Sequence, residues 1–166
     1  CLSLNCATME EIKEEIEKYK DFCQIVEWCA DKTLGTSMLT QGELTARIKE
    51  IKSMCPGKKI IVDYKGDTQT GNRIQKWAMG YADIIDVDAE NPSLSRLIRE
   101  AKRKKTKVLV SYHNFDKMMS RDEIAEKFLR LEMTGADILK VACYATKESD
   151  TYAMLEGAAA YSQLRK

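Results

Sequence analysis

Lys140 and His113 are the two side chains whose type and setting ask most plainly for a chemical explanation. Lys140 lies in Asp137-Ile138-Leu139-Lys140-Val141-Ala142, an ammonium group inside an apolar run that reads as a strand. A parallel strand buried on both faces offers an ammonium no cheap place. Three accounts are open: a fixed counter-charge, snorkelling from the strand end to solvent, or an amine whose pKa burial has lowered. The last would attack carbonyl carbon and form a Schiff base. His113, the single histidine, follows the apolar run Val108-Leu109-Val110-Ser111-Tyr112. Its imidazole is either a general acid/base near pH 7 or a hydrogen-bonded loop residue. If the two runs are adjacent parallel strands, these groups come within reach of one another. Other apolar runs also end on polar residues: Glu27, Lys65, and Asp86 with Asp88. Glu27 alone reads as a solvated strand end or a cation's partner. Asp86 and Asp88 alternate with Val87, share one face, and read as structural.

The elements that must position these residues alternate from end to end. Strands are expected at Cys1 to Leu4, Gln24 to Trp28, Lys59 to Tyr64, Ile84 to Val87, Val108 to Tyr112 and Ile138 to Ala142. Helices are expected from Met9 to Tyr19, and from Gly42 to Met54 with a stop at Pro56-Gly57. A polar loop from Lys65 to Gly71 leads to a helix from Asn72 to Met79. Pro92 is expected in the first turn of a helix reaching Lys104. Ser120-Arg121-Asp122-Glu123 is a capping box that starts a helix ending before Gly135, and a last helix spans Ser149 to Gln163. Six βα units require parallel strands with helical crossovers. No glycine-rich phosphate loop follows the first strand, and one polar side chain ends each of several strands. That pattern favours a (β/α)8 TIM barrel over an open doubly wound sheet.

Composition narrows the partners. With 27 Lys and Arg against 26 Asp and Glu, nothing draws the chain to nucleic acid or to an anionic membrane. The basic run Lys102 to Lys107 reads as a solvated helix end. No run approaches the length of a membrane span, and the opening residues do not resemble a signal peptide. Six cysteines without a C-x-x-C pair, and with one histidine, favour reduced thiols in a cytoplasmic protein over a disulfide framework or zinc site.

The motifs themselves resemble type I 3-dehydroquinate dehydratase. Val110-Ser111-Tyr112-His113-Asn114-Phe115 is similar to that family's histidine motif, and Gly135-Ala136-Asp137-Ile138-Leu139-Lys140-Val141-Ala142 to its lysine motif. Glu27-Trp28 with Asp31, Asp83 to Asp88, Ser149-Asp150 and the opening Cys1 to Leu4 also resemble family segments. The resemblance implies a barrel that dehydrates 3-dehydroquinate to 3-dehydroshikimate in the shikimate pathway. Lys140 would form the Schiff base and His113 would move protons. Ser3, Glu27, Cys29 and Lys65 would contact substrate. No metal or organic cofactor is implied, and the assembly implied is a homodimer.

Departures accompany the matches. Cys29 and Lys65 stand where the family pattern has arginines, and Gln69 where it has glutamate. Lysine does not reproduce a planar bidentate contact, and an amide does not accept a proton. The chain is expected to form a single domain over residues 1–166 that lacks the last two βα units, leaving its first and sixth strands as edges. The alternative to an enzyme is a catalytically impaired relative serving as a binding or assembly module.

Overall fold

The computed structural model describes residues 1–34 and 40–164. Six strands form one parallel sheet: β1 (Leu2–Leu4), β2 (Ile25–Cys29), β3 (Lys59–Asp63), β4 (Ile84–Asp88), β5 (Lys107–Asn114) and β6 (Ile138–Cys143). Their spatial order, β1-β2-β3-β4-β5-β6, is their order in sequence. A doubly wound sheet reverses direction at a switch point; this one does not, as in a barrel wall. The helices are α1 (Met9–Tyr19), α2 (Ala30–Leu34), α3 (Gln41–Met54), α4 (Thr68–Ala78), α5 (Leu94–Arg103), α6 (Arg121–Glu132) and α7 (Glu148–Leu164).

Alternation along each strand separates two faces. Leu4, Val26, Trp28, Ile60, Val62, Ile85, Val87, Val108 and Val110 are buried against Ile12, Ile16, Leu44, Ile48, Leu97 and other helix residues in the main core. The opposite face begins with a small apolar layer, Ile61, Ile84 and Leu109, flanked by Ile25 and Ile138. Polar side chains follow above it. Trp28 is fully buried, and its indole N–H donates to Thr33 Oγ1 at 3.0 Å, which ties α2 to β2.

The sheet is curled, and a single contact proves it. Lys140 on β6 reaches Glu27 on β2 at 3.0 Å. Four strand spacings in a flat sheet would put those strands about 19 Å apart. Two aspartates in matching settings tie the lower rim: Asp83 accepts the N–H of Ile60 at 3.0 Å, and Asp137 that of Val108 at 2.9 Å. Each precedes a strand in an Ala-Asp-Ile triplet and holds the strand before it.

Several expected boundaries move for identifiable reasons. α4 starts at Thr68, inside the segment expected to be a loop, because Asp67 caps it by accepting the Thr70 N–H at 2.9 Å. α2 was not anticipated. Pro92 lies in a turn before α5 rather than in its first helical turn; Asn91 Oδ1 takes the Ser93 N–H there at 2.8 Å. β5 runs on through His113, which pairs with Ala142, so the histidine is a strand residue. The Ser120 capping box forms as expected, and Thr40 with Glu43 makes a second one.

α6 and α7 meet through stacked Phe128 and Tyr161 rings and through Gly157. A Cβ at Gly157 would lie 2.6 Å from Cβ and Cγ2 of Ile124 and 3.0 Å from the Arg121 carbonyl oxygen. Helix propensity alone favours alanine there by about 1 kcal/mol. The β-branched neighbour and backbone cannot yield cheaply, so overpacking wins. Gly157→Ala is therefore expected to destabilise the fold by about 1–3 kcal/mol in urea denaturation; a stabilised variant would refute this packing.

Candidate active site

The inward polar side chains converge above the apolar layer at the C-terminal ends of the strands. β2 supplies Glu27 and Cys29, β3 supplies Asp63, β4 Asp86, β5 Ser111 and His113, and β6 Lys140. Register explains the grouping: Ser3 pairs with Glu27, Cys29 with Asp63, and Ser111 with Lys140, so all of these project to one face. Glu27, Asp63, Asp86 and Ser111 are buried, the last two completely.

Lys140 Nζ donates to Glu27 Oε1 at 3.0 Å and to Asp86 Oδ2 at 3.4 Å. Lys65 Nζ donates to Ser111 Oγ at 3.1 Å and lies 3.3 Å from Asp63 Oδ1 and 3.9 Å from Asp86 Oδ1. The contact with Asp63 is an ion pair, and among the described residues no other donor reaches that oxygen. Ser111 Oγ in turn donates to Asp86 Oδ1 at 2.6 Å. Gln75 Nε2 donates to the Asp86 carbonyl at 2.8 Å, anchoring the β4 backbone from α4.

The counter-charge account of Lys140 is the one the structure bears out. Burial works against its ammonium form, but Asp86, Glu27 and Asp63 outweigh burial and raise its pKa. Of the accounts left open, the burial-lowered amine is not that of the resting site: the carboxylates keep the proton on nitrogen. His113 moves the other way. Burial first, then the positive charges of Lys65 and Lys140, lower its pKa and favour neutral imidazole. It lies on β5 next to β6, two residues beyond the Ser111 position that pairs with Lys140, or about 7 Å along the strand. Phe115 stacks on its ring at 5.5 Å.

Glu27, Asp63 and Asp86 each offer an oxygen within 4.8 Å of the others, a spacing also suited to a metal ion. Here the two ammonium groups already meet that negative charge. Burial, then Asp86, push the Asp63 carboxyl up to about 7. Burial also raises Asp86, against the pull of Lys65, Ser111 and Lys140.

The remaining expected site residues take distinct places. Ser3 Oγ and Cys29 Sγ are 3.5 Å apart, with Asn5 Nδ2 donating to Ser3 at 3.2 Å. Burial raises the Cys29 pKa and favours a neutral thiol where a guanidinium was the pattern. Asp88, exposed at the rim, caps a turn by accepting the Glu90 N–H at 2.7 Å, whereas Asp86 joins the cluster rather than serving as plain strand structure. Asp63 and Ser111 were missed by sequence reasoning. Both end apolar runs facing the same way as residues that were singled out, and that alternation was the available signal.

Comparison with known proteins bears on the family and the fold. The family model for type I 3-dehydroquinase matches residues 1–165. A curated relative, the 3-dehydroquinate dehydratase of Listeria monocytogenes, is 26% identical over 170 positions, covering 94% of this chain and 67% of the relative. That of Alkaliphilus oremlandii is 29% identical, with 94% and 66% covered. The chain spans about two thirds of the length of these relatives. The solved 3-dehydroquinate dehydratase of Geobacillus kaustophilus superposes with a TM-score of 0.85 at 18% identity, over 98% of this chain and 68% of that one. The Clostridium difficile type I structure gives 0.82 at 23% identity, over 95% and 67%. These two likenesses speak for the fold, a TIM barrel of which the curled sheet is a part.

Asp63 also links this site to stability. Its ordinary value of 3.8 applies when unfolded and about 7 when folded, so the folded protein binds an extra proton between them. The stability this proton confers is fully present below the unfolded value and lost as pH rises through the folded one. Asp63→Asn imitates the neutral carboxyl. Its stability relative to wild type should therefore be more favourable near pH 8 than near pH 5, by about 1–3 kcal/mol. Urea denaturation at both pH values measures this, and an offset that does not change with pH would contradict it.

Proposed function

This chain belongs to the type I 3-dehydroquinase family, and on that premise we propose that it dehydrates 3-dehydroquinate to 3-dehydroshikimate through a Schiff base on Lys140. The observation that carries the reading is the Lys140 ammonium, 3.0 Å from Glu27 and 3.4 Å from Asp86, with His113 on the same face of the adjacent strand. The lysine first passes a proton to one of those carboxylates. Its nitrogen then attacks the ketone carbon, and loss of water from the carbinolamine gives an iminium. The cationic nitrogen draws electrons from the neighbouring C–H bond, and neutral His113 removes that proton. The resulting enamine expels the hydroxyl group, which leaves as water with a proton returned by His113. Hydrolysis frees the lysine. The iminium is the electron sink, so these steps call on neither a metal nor an organic cofactor.

In the same proposal Ser3, Cys29 and Lys65 contact substrate, and Lys65 is the nearest cation for its carboxylate. The six βα units form part of an eight-unit barrel whose other two units would bridge β6 to β1. The assembly is a cytoplasmic homodimer acting in the shikimate pathway. Among the described residues no helix is long and apolar enough to cross a membrane.

One observation favours the second reading, a non-catalytic binding or assembly module. Cys29 brings no charge, and Lys65 is already engaged by Ser111, Asp63 and Asp86. A substrate carboxylate would compete with them for that cation.

Borohydride reduction in the presence of 3-dehydroquinate separates the two. The wild-type chain should gain one covalent adduct by intact mass, mapped to Lys140, and Lys140→Ala should gain none. His113→Ala should still form the adduct while turnover falls by about 10²–10⁴. An adduct on another lysine, or unchanged turnover in either variant, would sink the assignment.

A further inference from the structure

Three buried carboxylates face two ammonium groups in this lumen, and one of the three, Asp63, has no role in the steps above. It belongs to none of the motifs that carry the family resemblance. We propose that Asp63 is a positioning residue that shares a proton with Asp86 and so makes Asp86 able to take a proton from Lys140 and give it back. The inference rests on the Schiff-base reading and deepens it.

The geometry supports a shared proton. Asp63, Asp86 and Glu27 have oxygens within 4.8 Å of one another, and Asp63 and Asp86 are 3% and 0% exposed. Among the described residues, the Lys65 ammonium alone stands against Asp63 Oδ1 to stabilise its ionised form at that atom. Among the described residues, the charged and titratable groups around Asp63 are Glu27 and Cys29 from β2, Lys65 after β3, Asp86 from β4, and Lys140 from β6, with His113 beyond Lys65 and Lys140 on β5. Like charges this close do not ionise independently, and two such groups titrate as a pair. The raised proton affinity of both Asp63 and Asp86 agrees with that arrangement.

Imine formation needs such a group. The ammonium has three N–H protons and the iminium retains one; the other two leave with the ketone oxygen as water. One proton passes from Lys140 to the carboxylate at 3.4 Å, Asp86 Oδ2, and the amine attacks the carbonyl. A second moves from nitrogen to oxygen within the carbinolamine. The first then returns from Asp86 to the carbinolamine hydroxyl, which departs as water. Nothing is consumed, and no other reactant is required. An ordinary carboxylate is too weak a base to draw a proton from an ammonium; Asp86 beside an ionised Asp63 is a stronger base, and the proton it takes is then shared by the pair.

Carboxyl ¹³C spectra of aspartate-labelled protein, recorded without ligand across the range from about pH 4 to about pH 9, test the sharing directly. Wild type should show two carboxyl groups with a common inflection above the ordinary carboxylate range; Asp63→Asn should lose it and leave Asp86 titrating at lower pH. With 3-dehydroquinate and borohydride, the rate of trapping at Lys140 should follow the same inflection in wild type. In Asp63→Asn the inflection should vanish, and trapping near neutral pH should slow about tenfold. Wild-type spectra in which every aspartate titrates in the ordinary acidic range would overturn the proposal, whether or not the variant folds. So would an Asp63→Asn variant that keeps the wild-type trapping profile. Because the spectra need no substrate, a paired titration in protein that traps no 3-dehydroquinate supports the sharing and refutes the dehydratase reading instead.

Discussion

The contact between Lys140 and Glu27 spans four strand spacings, and most of what is distinctive in this molecule follows from it. It exists only because the sheet is curled, and curling turns the inward face into a lumen where charges from β2, β3, β4 and β6 meet. The three carboxylates, Glu27, Asp63 and Asp86, are buried there, so each must be answered by a charge of opposite sign. Glu27 and Asp86 answer Lys140; Asp63, Asp86 and Ser111 answer Lys65. Buried ion pairs of this kind rarely repay their desolvation as stability, whereas removing one partner is costly. Their place at the strand C-terminal ends is where barrels do chemistry.

The rest of the fold leaves this cluster free of other tasks. The outer face packs against the helices as a continuous apolar core, and a separate layer of Ile61, Ile84 and Leu109 closes the lumen beneath the charges. Asp83 and Asp137 fasten the lower rim by taking backbone N–H groups from neighbouring strands. At that end five lysines, Lys52, Lys59, Lys104, Lys105 and Lys107, line a cavity together with Asp83.

Strands were legible because buried parallel strands are short apolar runs and little else reads that way. The barrel was legible from polar residues recurring at strand ends. The start of α4 and the existence of α2 were not, because a single capping aspartate, Asp67, and the Trp28–Thr33 hydrogen bond decide them. Lys140 and His113 were visible as chemical anomalies in their runs. The charge state of Lys140 was not, because its counter-charges come from strands distant in sequence, Glu27 lying 113 residues away. Asp86 was taken for structure for the same reason: nothing local to β4 reveals which cations face it. Asp63 and Ser111 look unremarkable in sequence and acquire meaning only from the register that sets them beside Cys29 and Lys140.

The central claim is that the lumen carboxylates hold Lys140 as an ammonium until a carbonyl compound arrives. Nitrogen-15 NMR of the lysine side chains, with Lys140 assigned by Lys140→Arg, measures this in the ligand-free protein. The account predicts that its Nζ keeps the ammonium shift up to and beyond 10.5, the ordinary lysine value. A neutral amine at Lys140 near pH 7 would contradict it, because burial would then have prevailed over Glu27, Asp63 and Asp86.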